Sequence, residues 1–247
     1  MLIEEYNQLA DISMDELEKV WKRIRKTSGI LIGGWATHLL LDKRFFEWKG
    51  IHYIGSKDID FCIRTNDLEN MSEILCDMDY TPLNFRFYKI FDRDTKKNIA
   101  KETAARKPIF ELFYLYVDII LDEKLGTEKK GTFFHDPLLK FCMDNKLYSK
   151  IDDFLVLRPE PLVLSKLRCA KERVSDKRIK DILDVLLLTN LVELDKQLFS
   201  ELSDLYSFDK SFIANIINEA DGELSNLRMN TDEIRNIKTT FLSFIEV

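Results

Sequence analysis

The sequence predicts an α+β chain: residues 1–157 alternate helices with strands, and residues 158–247 are helical throughout. Three observations predict it. Short apolar runs of strand character, such as Gly29–Ile32 and Phe110–Leu121, recur through the first part. Segments of helical period with capping signals lie between them. At Arg158-Pro159-Glu160-Pro161 the strand pattern stops, and the remaining residues read as helix after helix.

Each element has a local reason. Ser13-Met14-Asp15-Glu16 reads as a capping box, with Leu17, Val20, Trp21 and Ile24 at helical spacing behind it, so a helix is expected to about Lys26. Gly29-Ile30-Leu31-Ile32 reads as a buried strand broken by Gly33-Gly34. Trp35–Leu41 then reads as a helix, and the aromatic stretch Phe45–Ser56, without helical period, as a loop or hairpin. Lys57–Arg64 is expected as a strand. Asn66-Asp67-Leu68-Glu69 caps a helix whose Leu68, Met71, Leu75 and Met78 share a face. Asn84–Phe91 and Phe110–Leu121 read as strands around the polar stretch 92–107, and Thr132–Phe134 and Phe154–Leu157 as two more. Beyond the boundary come helices over Leu162–Val174 and Ser175–Leu191, then about three amphipathic ones to Val247.

Composition narrows the function classes. At 45% hydrophobic and 11% aromatic, the 247 residues can bury a substantial core. The net charge of −6 gives no global attraction to phosphate backbones, so a nucleic-acid substrate needs a local basic patch. Lys96-Lys97, Lys101 and Arg106-Lys107 either supply one or form a solvated loop. Cys62, Cys76, Cys142 and Cys169 form no C-x-x-C pair and sit in apolar runs, so all four read as reduced core residues. The acidic N-terminus is unlike a signal peptide, and no apolar run approaches the roughly 20 residues that span a bilayer. A soluble, cytoplasmic protein is expected.

The chemistry concentrates in three carboxylates. On a strand, alternate side chains share a face, so Lys57-Asp58-Ile59-Asp60-Phe61 turns Asp58 and Asp60 together while Ile59 and Phe61 face the core. Two such carboxylates suit hard cations, although solvent-facing alternation on an edge strand gives the same pattern. Asp118 lies in the apolar run Phe113–Leu121, expected to be a central, buried strand on which Asp118 shares the face of Tyr114 and Tyr116. A carboxylate there needs a metal or a cationic partner. If the two strands are neighbours, three carboxylates meet. The turn at Gly33-Gly34, joining strand to helix, exposes backbone N–H groups that can cradle an anion; a tight structural turn is the alternative. His38, His52 and His135 match no metal spacing.

These pieces together resemble the polymerase-β-like nucleotidyltransferase superfamily, closest to its minimal members and to the nucleotidyltransferase toxins of toxin–antitoxin systems. The matching text is Gly33-Gly34-Trp35-Ala36, then Gly55-Ser56-Lys57-Asp58-Ile59-Asp60, then Asp118. Past the boundary, Ser165-Lys166-Leu167 and Asp181-Ile182-Leu183-Asp184 look like the family's lysine helix and D-x-x-D helix, so the similarity covers roughly residues 28–190. The resemblance implies a mixed β-sheet flanked by helices, with a catalytic domain over 1–157 and a helical domain over 158–247. It implies that Asp58, Asp60 and Asp118 are catalytic and hold magnesium, or manganese in its place. Gly33, Gly34, Ser56, Lys57 and Lys166 would contact the nucleotide. The reaction implied is transfer of a nucleoside monophosphate from a triphosphate, ATP among the candidates, to a hydroxyl of a tRNA, a protein or a small molecule. A cognate antitoxin is the partner implied for a toxin. The alternative is a degenerate module that binds nucleotide or a partner without catalysis. Asp181 and Asp184 read separately as partners of Lys177 and Lys180, one helical turn away. The spacing from Gly34 to Asp58 exceeds the family's compact version and takes in Phe45-Phe46-Glu47-Trp48.

Overall fold

In the computed structural model, which describes residues 2–125, 133–174, 176–205, 212 and 215–245, the α+β class expected from the sequence is realised as a mixed sheet with helices and a helical C-terminal part. The strands are β1 (Ile30–Ile32), β2 (Ile59–Ile63), β3 (Thr81–Leu83), β4 (Arg86–Asp92), β5 (Leu112–Leu121), β6 (Phe134–His135), β7 (Tyr148–Ile151) and β8 (Phe154–Leu157). Their order is β3-β4-β5-β2-β1-β8-β7, with β6 paired parallel to β5. β5 lies antiparallel to β4 on one side and parallel to β2 on the other. The described chain divides into two compact units: Glu4–Trp35 with Gly55–Val156, and Met1–Ile3 with Ala36–Ile54 and Leu157–Val247.

In the sheet unit, helix α1 (Leu2–Ile24) covers one face. Trp21 packs 6.3 Å from Phe61 and 5.5 Å from Phe154, between ring centroids, and donates its indole N–H to the Asp153 carbonyl. Beneath α1, Glu16 accepts from Lys89 at 2.7 Å and from the Tyr80 hydroxyl at 3.0 Å. The expected capping box is therefore not a cap. Helix α1 begins well before Ser13, whose buried hydroxyl instead accepts the Trp35 indole N–H at 2.9 Å. The cap expected from Asn66-Asp67 also fails: a 3-10 turn (Thr65–Asp67) precedes α3 (Leu68–Asp77), and Asp67 accepts from the Ser28 amide. Four elements had no expectation: β3, β7, the short α4 (Lys101–Ala104) within the polar stretch 92–107, and α5 (Pro137–Asp144), capped by Asp136. Of the expected strand Thr132–Phe134, Thr132 lies outside the described residues and Phe134 begins β6.

The other unit corrects the reading of 45–56. Helix α2 (Gly33–Lys49) runs straight through Phe45–Trp48, with Thr37, Leu41 and Phe45 buried one turn apart. It stops at Gly50, which has φ +68° and whose N–H returns to the Phe46 carbonyl at 2.8 Å, a left-handed helix ending. Helices α6 (Pro159–Glu172), α7 (Asp176–Leu191), α8 (Lys196–Leu205), Asp221–Asn226 and Thr231–Ile245 complete it. α7 is buried continuously from Lys180 to Thr189, as a central helix must be, and so carries its ionic side chains inside the unit.

Cysteine placement differs from expectation at one position. Cys62 and Cys142 are buried and Cys169 half-buried, but Cys76 is exposed, because it falls on the outer face of α3. All four are free thiols.

Candidate active site

Pairing across the sheet fixes one row of residues. Ile32 of β1 pairs with Asp60 of β2, Asp60 with Asp118 of β5, and Asp118 with Arg86 of β4. Residues paired across a sheet project to the same side, and adjacent strands run about 4.8 Å apart. Asp60 and Asp118 are thus neighbours on one face, opposite the buried Ile59, Val117 and Ile119. The next row on that face holds Tyr116, paired with Tyr88. Burial pushes the Tyr116 hydroxyl's pKa up; Arg86 opposes this and the nearby Asp58 carboxylate adds to it. Asp58 itself precedes β2, which starts at Ile59 rather than at the expected Lys57.

β5 is central, but its burial alternates. The Tyr114, Tyr116 and Asp118 face is half-open, not sealed on both sides as its apolar sequence suggested. Asp118 meets its charge requirement with a cation: Arg86 donates to its carboxylate at 2.7 Å, with the two side chains 28% and 15% exposed. Arg86 also lies over the Tyr116 ring, 4.5 Å from its centroid. Sequence reasoning missed Arg86. A strand-borne aspartate calls for a cation, and Arg86 shares the alternate face of its own strand with Tyr88, which was the available signal.

The glycine turn is built around this row. Gly33 opens α2 at φ +66°, and a Cβ there would stand 2.7 Å from Asp60 Cγ and 2.9 Å from Asp60 Cβ. A Cβ on Gly34 would stand 2.5 Å from Ser56 Oγ. Absent side chains therefore let the start of α2 lie directly against Asp60 and Ser56, where helix N–H groups favour an anion. Lys57 is half-buried beside them in sequence.

Of the sequence-predicted polar and acidic positions, Asp60 and Asp118 thus share one face of the sheet, Asp58 lies near Tyr116 in the next row, and Ser56 lies against Gly34. Lys166 has different surroundings, inside the helical unit. It is buried, 2.6 Å from Asp184 and 3.3 Å from Asp181. Asp184 also takes Lys180 at 2.6 Å and the Tyr53 hydroxyl, while Asp181 takes Arg173 at 2.7 Å. Burial opposes charge on Lys166, but Asp184 and Asp181 outweigh it and raise its pKa.

Among the described residues, no group of three or more His, Cys, Asp or Glu side chains is arranged to hold a metal ion. The carboxylates are adjacent by backbone register, while the Asp118 side chain turns to Arg86. A cleft lined by Arg93, Asp94, Lys96, Phe110 and Glu111 lies at the far end of β4 and β5 from Asp118. Its Lys96 is bound to Asp11 at 2.8 Å. No helix among the described residues is long and apolar enough to cross a membrane.

No protein-family model and no curated protein matches the sequence. Among solved structures, the chain is similar to JHP933 from Helicobacter pylori, at 14% identity and TM-score 0.47 over 96% of this chain and 90% of that one. It is also similar to an H. pylori protein provisionally named as a nucleotidyltransferase, at 13% identity and TM-score 0.42 over 96% and 93%.

Proposed function

We propose that this chain is a magnesium-dependent nucleotidyltransferase, moving a nucleoside monophosphate from a triphosphate to a hydroxyl acceptor with release of pyrophosphate. One observation carries the reading: Asp60 and Asp118 are register partners on a half-open face, and Gly33 brings the start of a helix against Asp60. Oxygen donors and the N–H groups at the start of a helix meet there, a combination that suits phosphoryl chemistry.

The donor set fits magnesium in kind. That ion takes oxygen ligands, commonly one or two carboxylates with the rest from substrate phosphates and water. Asp58 and Asp60 would supply the carboxylates, and Asp118 would join them on leaving Arg86. When bound, the metal supplies charge neutralisation for the reacting phosphate. The Gly33-Gly34 backbone orients the triphosphate, and Ser56 and Lys57 lie beside it. Asp118, next in the row, would then accept the proton of the acceptor hydroxyl. Arg86, 2.7 Å from the Asp118 carboxylate, holds it in alignment until an acceptor arrives. A binding module without catalysis is the second reading, favoured by the Arg86–Asp118 ion pair, which already balances one carboxylate.

The deciding experiment incubates the protein with each labelled triphosphate, magnesium and cell extract. Label transferred by the wild type and lost in Asp58→Asn and Asp60→Asn supports transfer. Triphosphate binding without any transfer supports the second reading. A toxin role is tested separately: at matched protein levels, wild type should slow host growth and Asp58→Ala should not.

A further inference from the structure

Below the carboxylate row, the same sheet face carries three tyrosines. Tyr88 lies 6.2 Å from Tyr116 and 6.0 Å from Tyr114 between ring centroids, with the ring planes tilted by 49° and 41°. All three are half-buried rather than sealed. Tyr88 and Tyr114 lean on the small cluster of Ile90, Ala104 and Leu112, but Tyr116 is no part of it and lies next to Asp58 and Asp118. Cations stand over two of these rings: Arg86 over Tyr116 at one end, and Lys101 Nζ 5.4 Å from the centroid of Tyr88, the middle ring. Lys101 belongs to α4 (Lys101–Ala104), within a largely exposed segment, 92–111, that carries six basic and four acidic side chains. The chain as a whole is at −6, so this segment is locally positive.

We propose that Tyr88, Tyr114 and Tyr116 are a stacking platform for the unpaired end of a nucleic-acid strand, whose phosphates run toward Lys101 and whose terminal hydroxyl reaches Asp118. The proposal rests on the transferase reading for why an acceptor should end there, and it names that acceptor's class. Aromatic rings flanked by cations bind single strands because every base has a flat face and every linkage a negative charge. A triphosphate brings one base, whereas three successive rings and a basic segment suit several nucleotides. A protein acceptor offers neither a series of flat faces nor regular anions.

The test measures binding of a fluorescein-labelled single-stranded RNA of about ten nucleotides, within the usual site size of such surfaces. Fluorescence anisotropy is read without metal or triphosphate. Tyr88→Leu and Tyr116→Leu should each weaken binding by about fivefold or more, the scale of one lost base stack. The corresponding Phe variants, which keep the ring, should bind like the wild type. Lys101→Ala should weaken binding and lower the salt-dependence slope by about one. The same sequence as a duplex should bind more weakly. Undiminished binding by both Leu variants, or duplex binding equal to that of the strand, overturns the platform. Overturning it as well is a result in which AMP alone binds with the same tyrosine dependence and affinity as the strand, because the rings would then be a single-base pocket. Strand binding without label transfer in any triphosphate keeps the platform and removes the transferase reading. Transfer to another acceptor without strand binding does the reverse.

Discussion

Replacing Gly33 by alanine separates the role of the glycine turn from its conformation. Gly33 has φ +66°, and its added Cβ would meet Asp60 Cγ at 2.7 Å. Gly50 has nearly the same φ, +68°, with nothing within 4 Å of an added Cβ. Holding a non-glycine residue in left-handed backbone costs about 1–2 kcal/mol. Reduced freedom of the unfolded chain returns about 0.4–1 kcal/mol. Gly50→Ala should therefore destabilise by at most about 1.5 kcal/mol, a fall in melting temperature of up to roughly 6 °C at this chain size. Gly33→Ala incurs the same backbone cost and must also move Asp60. Carbon atoms normally rest about 3.5–4.0 Å apart, so a 2.7 Å approach asks for a shift of about 1 Å. A misplacement of that size costs on the order of a hundredfold in rate. Thermal melts of both variants and a label-transfer assay at saturating triphosphate check this. Gly33→Ala should lose about a hundredfold in transfer, and Gly50→Ala should transfer like the wild type. Near-normal transfer by Gly33→Ala would refute the placement of Asp60 at the reacting phosphate. Equal losses in both variants would trace the effect to stability alone.

Three further outcomes follow from the ion pairs. Asp118→Asn weakens a pair that is only partly exposed, so the metal-free melting temperature should fall by about 2–4 °C, the scale of roughly 1 kcal/mol. Transfer should fall by about a hundredfold with triphosphate affinity retained; unchanged transfer would remove Asp118 from the site. Lys166→Met leaves Asp184 and Asp181 short of a buried cation, a loss of about 3–5 kcal/mol. A variant that melts like the wild type yet no longer binds triphosphate would show Lys166 to be a ligand contact instead. Acid sensitivity follows from Asp184 and Glu16. Burial raises each pKa, but Lys166 and Lys180 for the first, and Lys89 and Lys19 for the second, outweigh it and hold both below the ordinary carboxylate range. Their folded-state pKa values are depressed, so their stabilisation is complete above the unfolded value near 4 and is lost as pH falls through the folded values. The melting temperature should hold from about pH 7 to 5 and drop below about 4; a drop already complete at pH 5 contradicts this.

The facing of each aspartate was legible because it rests on alternation, which is local, whereas the pairing of β2 with β5 that brings Asp60 beside Asp118 was only a condition in the sequence. Asp58 and Asp60 announce a shared face two residues apart, and Asp118 is conspicuous as the one acid in an apolar run. The glycine turn was legible for the same reason. Arg86 was not, because its pairing depends on the register between β4 and β5, set by a turn and a long connection rather than by neighbouring residues. Helix α2 was misread beyond Leu41 although Thr37, Leu41 and Phe45 keep a spacing of four. The exposed Phe46 and Trp48 fill the outer face with aromatics, and that hides the apolar stripe. β3 and β7 show no inward alternation, since Pro82, Leu83, Ser149 and Lys150 are exposed, so neither leaves a readable pattern.

Lys166 shows where residue type stops being informative. In sequence it is a lysine followed fifteen residues later by an aspartate, and the nearest-turn rule offers closer partners. Of the pairs that rule suggested, Lys180–Asp184 forms, at 2.6 Å. Yet Asp184 also takes Lys166 from another helix, because α7 is buried on all sides and one lysine cannot balance two acids there. Arg86 and Asp118 repeat this logic in the sheet with a different outcome. Their pair is 28% and 15% exposed and so reachable from solvent, whereas Lys166 and Asp184, at 8% and 0%, are sealed from it. A carboxylate that can trade an arginine for a metal is suited to an active site, and one locked between two lysines is suited to holding helices together. On the transferase reading proposed above, partner exchange at Asp118, rather than the presence of aspartates as such, is therefore the property that would make the row across β2, β5 and β4 the place for chemistry.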